Sequence, residues 1–245
     1  MHNQSVNFLA CILAIIGFMV IVIAPFTASA GTFSVTPLRV TIKSNEASTS
    51  FVLSNQGNES TLVQTELLAW SQLEGDDVLV PTNDLVVSPP IFQLAPGAAH
   101  TIRVGLLNGA DRSSELSYRL FLQEVPTQKK NNEQGISTVL RLGLPVFIMP
   151  TTHLKTMFKW HAIRAPSGGM TLVLKNLSNT HIQAINCKIH DENGILISEQ
   201  KLATYILSGQ SHSWQIKSSS ILHGDHITLN MHTDNEDIET LVTLE

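Results

Sequence analysis

The sequence predicts an all-β chain folded as two antiparallel sandwiches, and three observations predict it. Apolar and polar residues alternate with a period of two almost everywhere after residue 31. The alternating runs are short and are separated by clusters of Asn, Gly, Pro and Ser that form turns. No stretch of this region has the convincing 3.6-residue spacing of an amphipathic helix. The runs fall into two sets that meet near residues 150–153. The first set, of about seven strands, has the count and spacing of an immunoglobulin-type sandwich. At 245 residues the chain is long enough for two domains of ordinary size.

Residues 1–30 stand apart. Residues 8–24 (FLACILAIIGFMVIVIA) form a continuous apolar run, broken by Pro25. Ala28-Ser29-Ala30 then supplies a small-x-small cleavage motif before Gly31. This is the layout of a secretory signal peptide, although the preceding MHNQSVN carries no Lys or Arg. The alternative is an uncleaved anchor, for which the run is near the lower length limit. Cleavage would leave no stable membrane insertion and would remove Cys11. Cys187 alone cannot close an internal disulfide. It lies in the alternating run HIQAINCKIH and reads as a small core residue, against the alternative of a reactive thiol.

The first set of strands begins with residues 33–42 (FSVTPLRVTI), interrupted at Pro37. Residues 49–54 follow, then the turn 55–58, the strand 61–70 and a polar loop over 71–77. Residues 85–94 are interrupted by Ser88-Pro89-Pro90. Ala95-Pro96-Gly97 turns into 98–107, and 117–125 (SYRLFLQEV) comes next. A polar segment, 127–134, leads into the long stretch 135–150 (GISTVLRLGLPVFIMP). Residues 151–167 are less regular. The second set runs over 170–177, 181–190, 195–202, 213–217, 225–232 and 238–244. Asn193-Gly194 marks a hairpin between two of these. The expected division is 1–30, 31–150 and 151–245.

The stretch 135–150 is the most informative. Strand side chains alternate between faces, so Ile136, Thr138, Leu140, Leu142 and Leu144 form one row of mostly large apolar residues. Pro145 lacks a backbone donor, which restricts the strand to an edge or to the end of its pairing. An apolar edge invites another chain to pair with it. Either the row packs into its own core, or the strand is kept available for a partner.

Charge and motifs exclude several classes. Lys and Arg are few and scattered, which speaks against a nucleic-acid partner. There is no phosphate-binding Gly loop, no GxSxG and no HExxH. His223 and His226 are three apart, a spacing that puts strand residues on opposite faces, so a solvated turn is the simpler reading than a metal pair. Glu74-Gly75-Asp76-Asp77 reads as a solvated loop rather than a calcium site. No catalytic residue, metal ligand or cofactor site is expected.

Four blocks of the first set carry a resemblance. SPPIFQLAPG (88–97) followed by Ile102-Arg103-Val104, SYRLFLQEVP (117–126), FSVTPLRV (33–40) and the long strand ending at Pro150 resemble the PapD-like family of periplasmic pilus chaperones, in the family's order. The resemblance implies two immunoglobulin-like domains in an L shape. It implies a protein that binds pilus or fimbrial subunits lacking their last strand. The chaperone's own strand completes the subunit's sheet, and the subunit then passes to an outer-membrane usher. It also implies a periplasmic location in a Gram-negative bacterium. On this reading Ile136, Thr138, Leu140, Leu142 and Leu144 are the donor row. Strand addition draws affinity from main-chain hydrogen bonds and specificity from alternate side chains. Four buried aliphatic side chains would contribute on the order of 6–12 kcal/mol before ordering costs. A homodimer that caps the free strand is a further candidate state.

The family holds the subunit's terminal carboxylate with an Arg on the first strand and a Lys on the donor strand. Arg39 matches the Arg, with a surface role or an intradomain ion pair as its alternatives. The Lys has no match, because counting back from Pro150 puts Gly143 and Pro145 at the corresponding positions. Arg119 and Arg141 are the candidate substitutes. Met149 stands where well-known members have an Arg that pairs with the counterpart of Glu124 in an interdomain network, so a different setting of the domain angle is expected. Ser88-Pro89 is implied to be a cis bond. The expectation is therefore a non-enzymatic assembly chaperone. The rival classes are a structural or adhesive immunoglobulin-like surface protein and a metal enzyme on the same fold.

Overall fold

The computed structural model describes residues 33–107, 112–126, 139–166, 168–217 and 224–245. The expected signal peptide, Ile136, Thr138 and His223 lie outside these. Residues 33–245 form one compact unit. Among the described residues there are seventeen strands and no helix.

In chain order the first ten strands are β1 (Phe33–Thr36), β2 (Val40–Ile42), β3 (Ser48–Asn55), β4 (Thr61–Leu73), β5 (Asp76–Pro81), β6 (Leu85–Ser88), β7 (Ile91–Leu94), β8 (Ala99–Leu106), β9 (Leu116–Val125) and β10 (Arg141–Ile148). They make two sheets. One has the order β1-β3-β8-β6; the other is β2-β10-β9-β4-β5, with β7 also paired to β4. The remaining strands are β11 (Phe158–Arg164), β12 (Met170–Asn176), β13 (Ile182–His190), β14 (Leu196–Ile206), β15 (Ser211–Ile216), β16 (His226–Thr233) and β17 (Asp237–Thr243). These form the sheets β11-β12-β15 and β14-β13-β16-β17. Each pair of sheets encloses its own core. Val35 to Ile148 supply the first, around Phe51, Leu53, Ile102 and Leu120. Ala162 to Leu244 supply the second, around Leu172, Leu174 and Leu229. The predicted all-β, two-sandwich class is the observed one.

Pro37 interrupts the first strand as expected, and the interruption moves the chain from one sheet to the other. β1 pairs antiparallel with β3, whereas β2 pairs parallel with β10. Thr36-Pro37 and Ser88-Pro89 are both cis.

Two strands escaped the sequence reading. Residues 71–77 are not a loop. β4 runs on to Leu73, turns at Glu74 (φ 55°) and Gly75 (φ 93°), and returns as β5. Two successive positive φ values suit a tight hairpin, with Glu74 in the place where Asn or Asp is usual. β11 was also missed, because FKWHAIR carries two cations and its buried side comes to light only against β12. Cys187 is buried in the second core, where burial pushes its thiol pKa up to about 12. That suits packing and not nucleophilic chemistry.

Candidate functional site

β10 pairs with β9 along its whole length, from Arg141 opposite Gln123 to Ile148 opposite Leu116. On its other side β2 covers only Val146 to Ile148. Among the described residues, nothing pairs with the Arg141–Pro145 half of that edge. Main-chain groups of an antiparallel strand alternate in the direction they face. Glu124 donates its N–H to the Leu140 carbonyl, and Met149 donates its N–H to the Ile42 carbonyl. Even-numbered residues of β10 thus turn toward β9 and odd-numbered ones toward the open edge. Arg141 and Gly143 present their main-chain groups there. The donor that Pro145 lacks would also have faced that edge, one residue before β2 begins to pair, so no ladder bond is lost.

The even-numbered side chains of β10 face the first core, and the row changes character along its length. Leu144 is 5% exposed and belongs to the core. Leu142 is half-buried and packs against the same core. Leu140 is half-buried, and its N–H is accepted by the Glu124 carboxylate at 2.9 Å. Leu144, the last residue of the expected donor row, is therefore packed in the core of its own domain. The sequence could not separate the two uses, because both want a large apolar residue at the same parity.

The opposite face of this sheet carries the cations. Arg119 stands directly across from Pro145, and cross-strand partners share a face. On the other flank β2 begins with Val40 opposite Val146, and Arg39 is the residue just before it. Arg119 lies 3.7 Å above the Trp70 ring and 3.5 Å from the Asp77 carboxylate. The Tyr205 ring, from the second sandwich, lies 5.6 Å from the Arg119 guanidinium. Arg141 is not brought to this place. It lies four residues up the strand, about 13 Å away at the usual strand rise. There it pairs with Glu66 at 2.9 Å and covers Phe121. Gly143 is part of that arrangement, since a Cβ there would come within 3.0 Å of the Phe121 ring.

Arg39 belongs to a charged cluster between the sandwiches. Its Nη1 donates to Asp234 Oδ2 at 2.5 Å and lies 3.3 Å from His181 Nε2. His181 Nδ1 is 2.7 Å from Glu115 Oε1, and its ring stacks on Phe147 at 3.6 Å. Glu115 and Phe147 come from the first sandwich, His181 and Asp234 from the second. Burial works against a charged His181, but the Asp234 and Glu115 carboxylates outweigh it and raise the His181 pKa. Burial likewise opposes an ionised Asp234. His181 at 3.6 Å and hydrogen bonds from the Gln183 N–H and Arg39 nevertheless hold its pKa at about 2. Trp70, Phe147, Leu207 and Tyr205 form an apolar cluster beside these charges.

The expected alternative of an intradomain ion pair for Arg39 is thus replaced by a pair between sandwiches. Glu124 takes no part in it and instead holds the end of β10. Nothing in the local sequence announces His181, Asp234, Glu115 or Tyr205, whose only common feature is the place where the fold assembles them. A cleft of about 490 Å³ runs along this junction, lined by Arg39, Thr41, Met149, Leu154, Phe158 and His181 among others.

Residues 32–153 match the family described as pili and flagellar-assembly chaperone, PapD N-terminal domain. The chain belongs to this chaperone family. No curated protein sequence matches the chain. Solved structures share the fold of the chaperone over most of its length. One is the CsuC-CsuE chaperone–tip adhesion subunit pre-assembly complex of Acinetobacter baumannii archaic Csu pili. It has 20% identity, covers 88% of this chain and 100% of that one, and has a TM-score of 0.64. The YadV chaperone matches at 18% identity, with 87% and 100% coverage and a TM-score of 0.62. The Salmonella enterica SafA pilin–SafB chaperone complex matches at 15% identity, with 85% and 95% coverage and a TM-score of 0.59. The chaperone is thus a pilus-assembly chaperone of immunoglobulin-like fold, in a family that is periplasmic and non-enzymatic.

Proposed function

We propose that the chaperone captures pilus or fimbrial subunits in the periplasm by lending them the open edge of β10, and then delivers them to an outer-membrane usher. The observation that carries this reading is the half-paired edge. β2 stops at Val146, and the main-chain groups of Arg141 and Gly143 are left facing outward. A subunit strand laid along Arg141–Pro145 would find hydrogen-bond partners already extended. The side-chain contribution comes from the upstream part of the row, Ile136, Thr138 and Leu140, with Leu142 at the margin. Ile136 and Leu140 together contribute about 3–6 kcal/mol, half the earlier ceiling. Main-chain pairing therefore carries a larger share of the affinity.

Arg39 and Arg119 are the proposed anchor for a subunit's terminal carboxylate. They flank Pro145, Arg39 from just before β2 and Arg119 from β9, and charge-assisted bonds to a carboxylate suit both. Arg119 stands in from the neighbouring strand for the Lys that the resemblance implies. Arg141, committed to Glu66 and Phe121, is left out of this anchor. The proposed division is a signal peptide over 1–30, a subunit-binding domain over 31–150 and a second domain over 151–245. A self-capping homodimer in the absence of subunit is consistent with the same open edge.

The test is recovery of the tagged mature protein from its own periplasm, with mass spectrometry of what comes with it. Pilus subunits are expected with the wild type and not with Leu140→Asp. A folded Leu140→Asp variant that still retains its subunits would overturn the strand-lending mechanism.

A further inference from the structure

Arg39 is held by one corner only. A guanidinium offers five donors in a planar fork. Within the described residues, Nη1 donates to Asp234 Oδ2, and His181 Nε2 lies 3.3 Å from it. The Arg39 side chain is still 34% exposed and lines the cleft. What holds that corner is rigid. Asp234 is 5% exposed and its Oδ1 accepts the Gln183 N–H at 2.8 Å. His181 is 7% exposed, clamped between Glu115 and the face of Phe147.

We propose that Asp234 and His181 are positioning residues of the anchor. The second sandwich presents them so that Arg39 is held by one edge and aimed with the other at a chain-terminal carboxylate. Capture of that carboxylate then depends on the two sandwiches being closed on each other. The inference rests on the reading of Arg39 as an anchor.

Two effects oppose each other here. A long, free Arg side chain loses rotamer freedom when it binds, and a tether removes most of that loss beforehand. Against this, Asp234 would repel an arriving carboxylate. The repulsion is offset within the cluster. Arg39 already pairs with Asp234, and Glu115 is engaged by His181 at 2.7 Å. Across Pro145, Arg119 faces Asp77 at 3.5 Å. The carboxylate therefore meets carboxylates that are already paired, with donors directed at it, and the tether decides the sign.

The experiment uses a synthetic peptide of alternating apolar residues in two forms, with a free terminal carboxylate and as the terminal amide. The quantity read is the ratio of the two dissociation constants. The mature wild type is expected to prefer the free acid by about tenfold, the size of one charge-assisted contact. Asp234→Asn keeps the acceptor for Gln183 and should fold, which a thermal melt checks. Its ratio is expected to fall to about two, and that of His181→Gln to fall with it. If Asp234→Asn fails to fold, His181→Gln decides alone. A ratio that stays at the wild-type value, or rises, overturns the positioning role. If instead the wild type shows no preference, or Arg39→Ala keeps it, the anchor reading fails and the inference falls with it.

Discussion

Arg119 and Pro145 are direct cross-strand partners, and this pairing shows how a cation can be kept at a place where the strand itself cannot carry one. Position 145 is where β10 leaves its open edge and begins to pair with β2. A proline suits that point because its missing donor faces away from β9. The positive charge comes instead from β9, stacked on Trp70.

Arg119→Ala should therefore act in two separable ways. Losing a cation–π contact to a largely buried Trp costs about 0.5–2 kcal/mol of stability. The loss of subunit affinity should be greater for a subunit with a free terminus than for one extended by several residues. Equal losses for both would assign Arg119 to the interface alone. Binding titrations alongside chemical denaturation separate the two.

Leu140 and Leu144 share a parity and should differ sharply when truncated. Leu144→Ala creates a cavity in the first core and should cost about 2–5 kcal/mol. Leu140→Ala should cost less than about 1 kcal/mol while reducing subunit capture. Urea unfolding of the free variants is the measurement, and equal destabilisation would place Leu140 in the core as well.

Gln72 should prove to be a structural link between the sandwiches. Its side-chain amide donates to the Tyr205 carbonyl at 2.8 Å and accepts the Leu207 N–H at 3.0 Å. The hairpin tip next to it reaches the second sandwich, where Gly75 lies so close to His212 that a Cβ would meet its ring at 3.2 Å. Gln72→Ala leaves the buried Leu207 N–H without its acceptor, a loss of about 1–3 kcal/mol. A single cooperative melt should become two if this link couples the domains, and calorimetry reads that directly.

The charged cluster should give stability a bounded pH range. His181 has a folded pKa raised above 6.5, so its contribution is complete below that value and is lost as pH rises through the raised one. Asp234 is depressed from 3.8 to about 2, so its contribution is complete above 3.8 and is lost as pH falls through about 2. The melting temperature should be highest between about pH 4 and 6.5. His181→Gln should flatten the alkaline side. Parallel wild-type and His181→Gln curves from pH 6 to 9 would show that this histidine contributes nothing to the junction.

Much of this was legible in the chain. Period-two alternation placed most strands, since each side chain's face follows from its parity alone. Pro37 and Pro145 marked their interruptions because a proline cannot donate to a ladder. The failures share one cause. β5 is exposed along its length and β11 is half polar, so neither shows the contrast that alternation needs.

The residues alone determined the all-β class, the two sets of strands, the apolar row on β10 and the family to which the first set belongs. Each of these depends on local pattern, which is written in order along the chain. Tertiary structure decided that Leu144 is core, that Arg141 pairs with Glu66 and that Arg119 stands across from Pro145. It also decided that Arg39 meets Asp234, 195 positions away in the chain. Such contacts depend on register and on the packing of one sandwich against the other, and no local spacing encodes either.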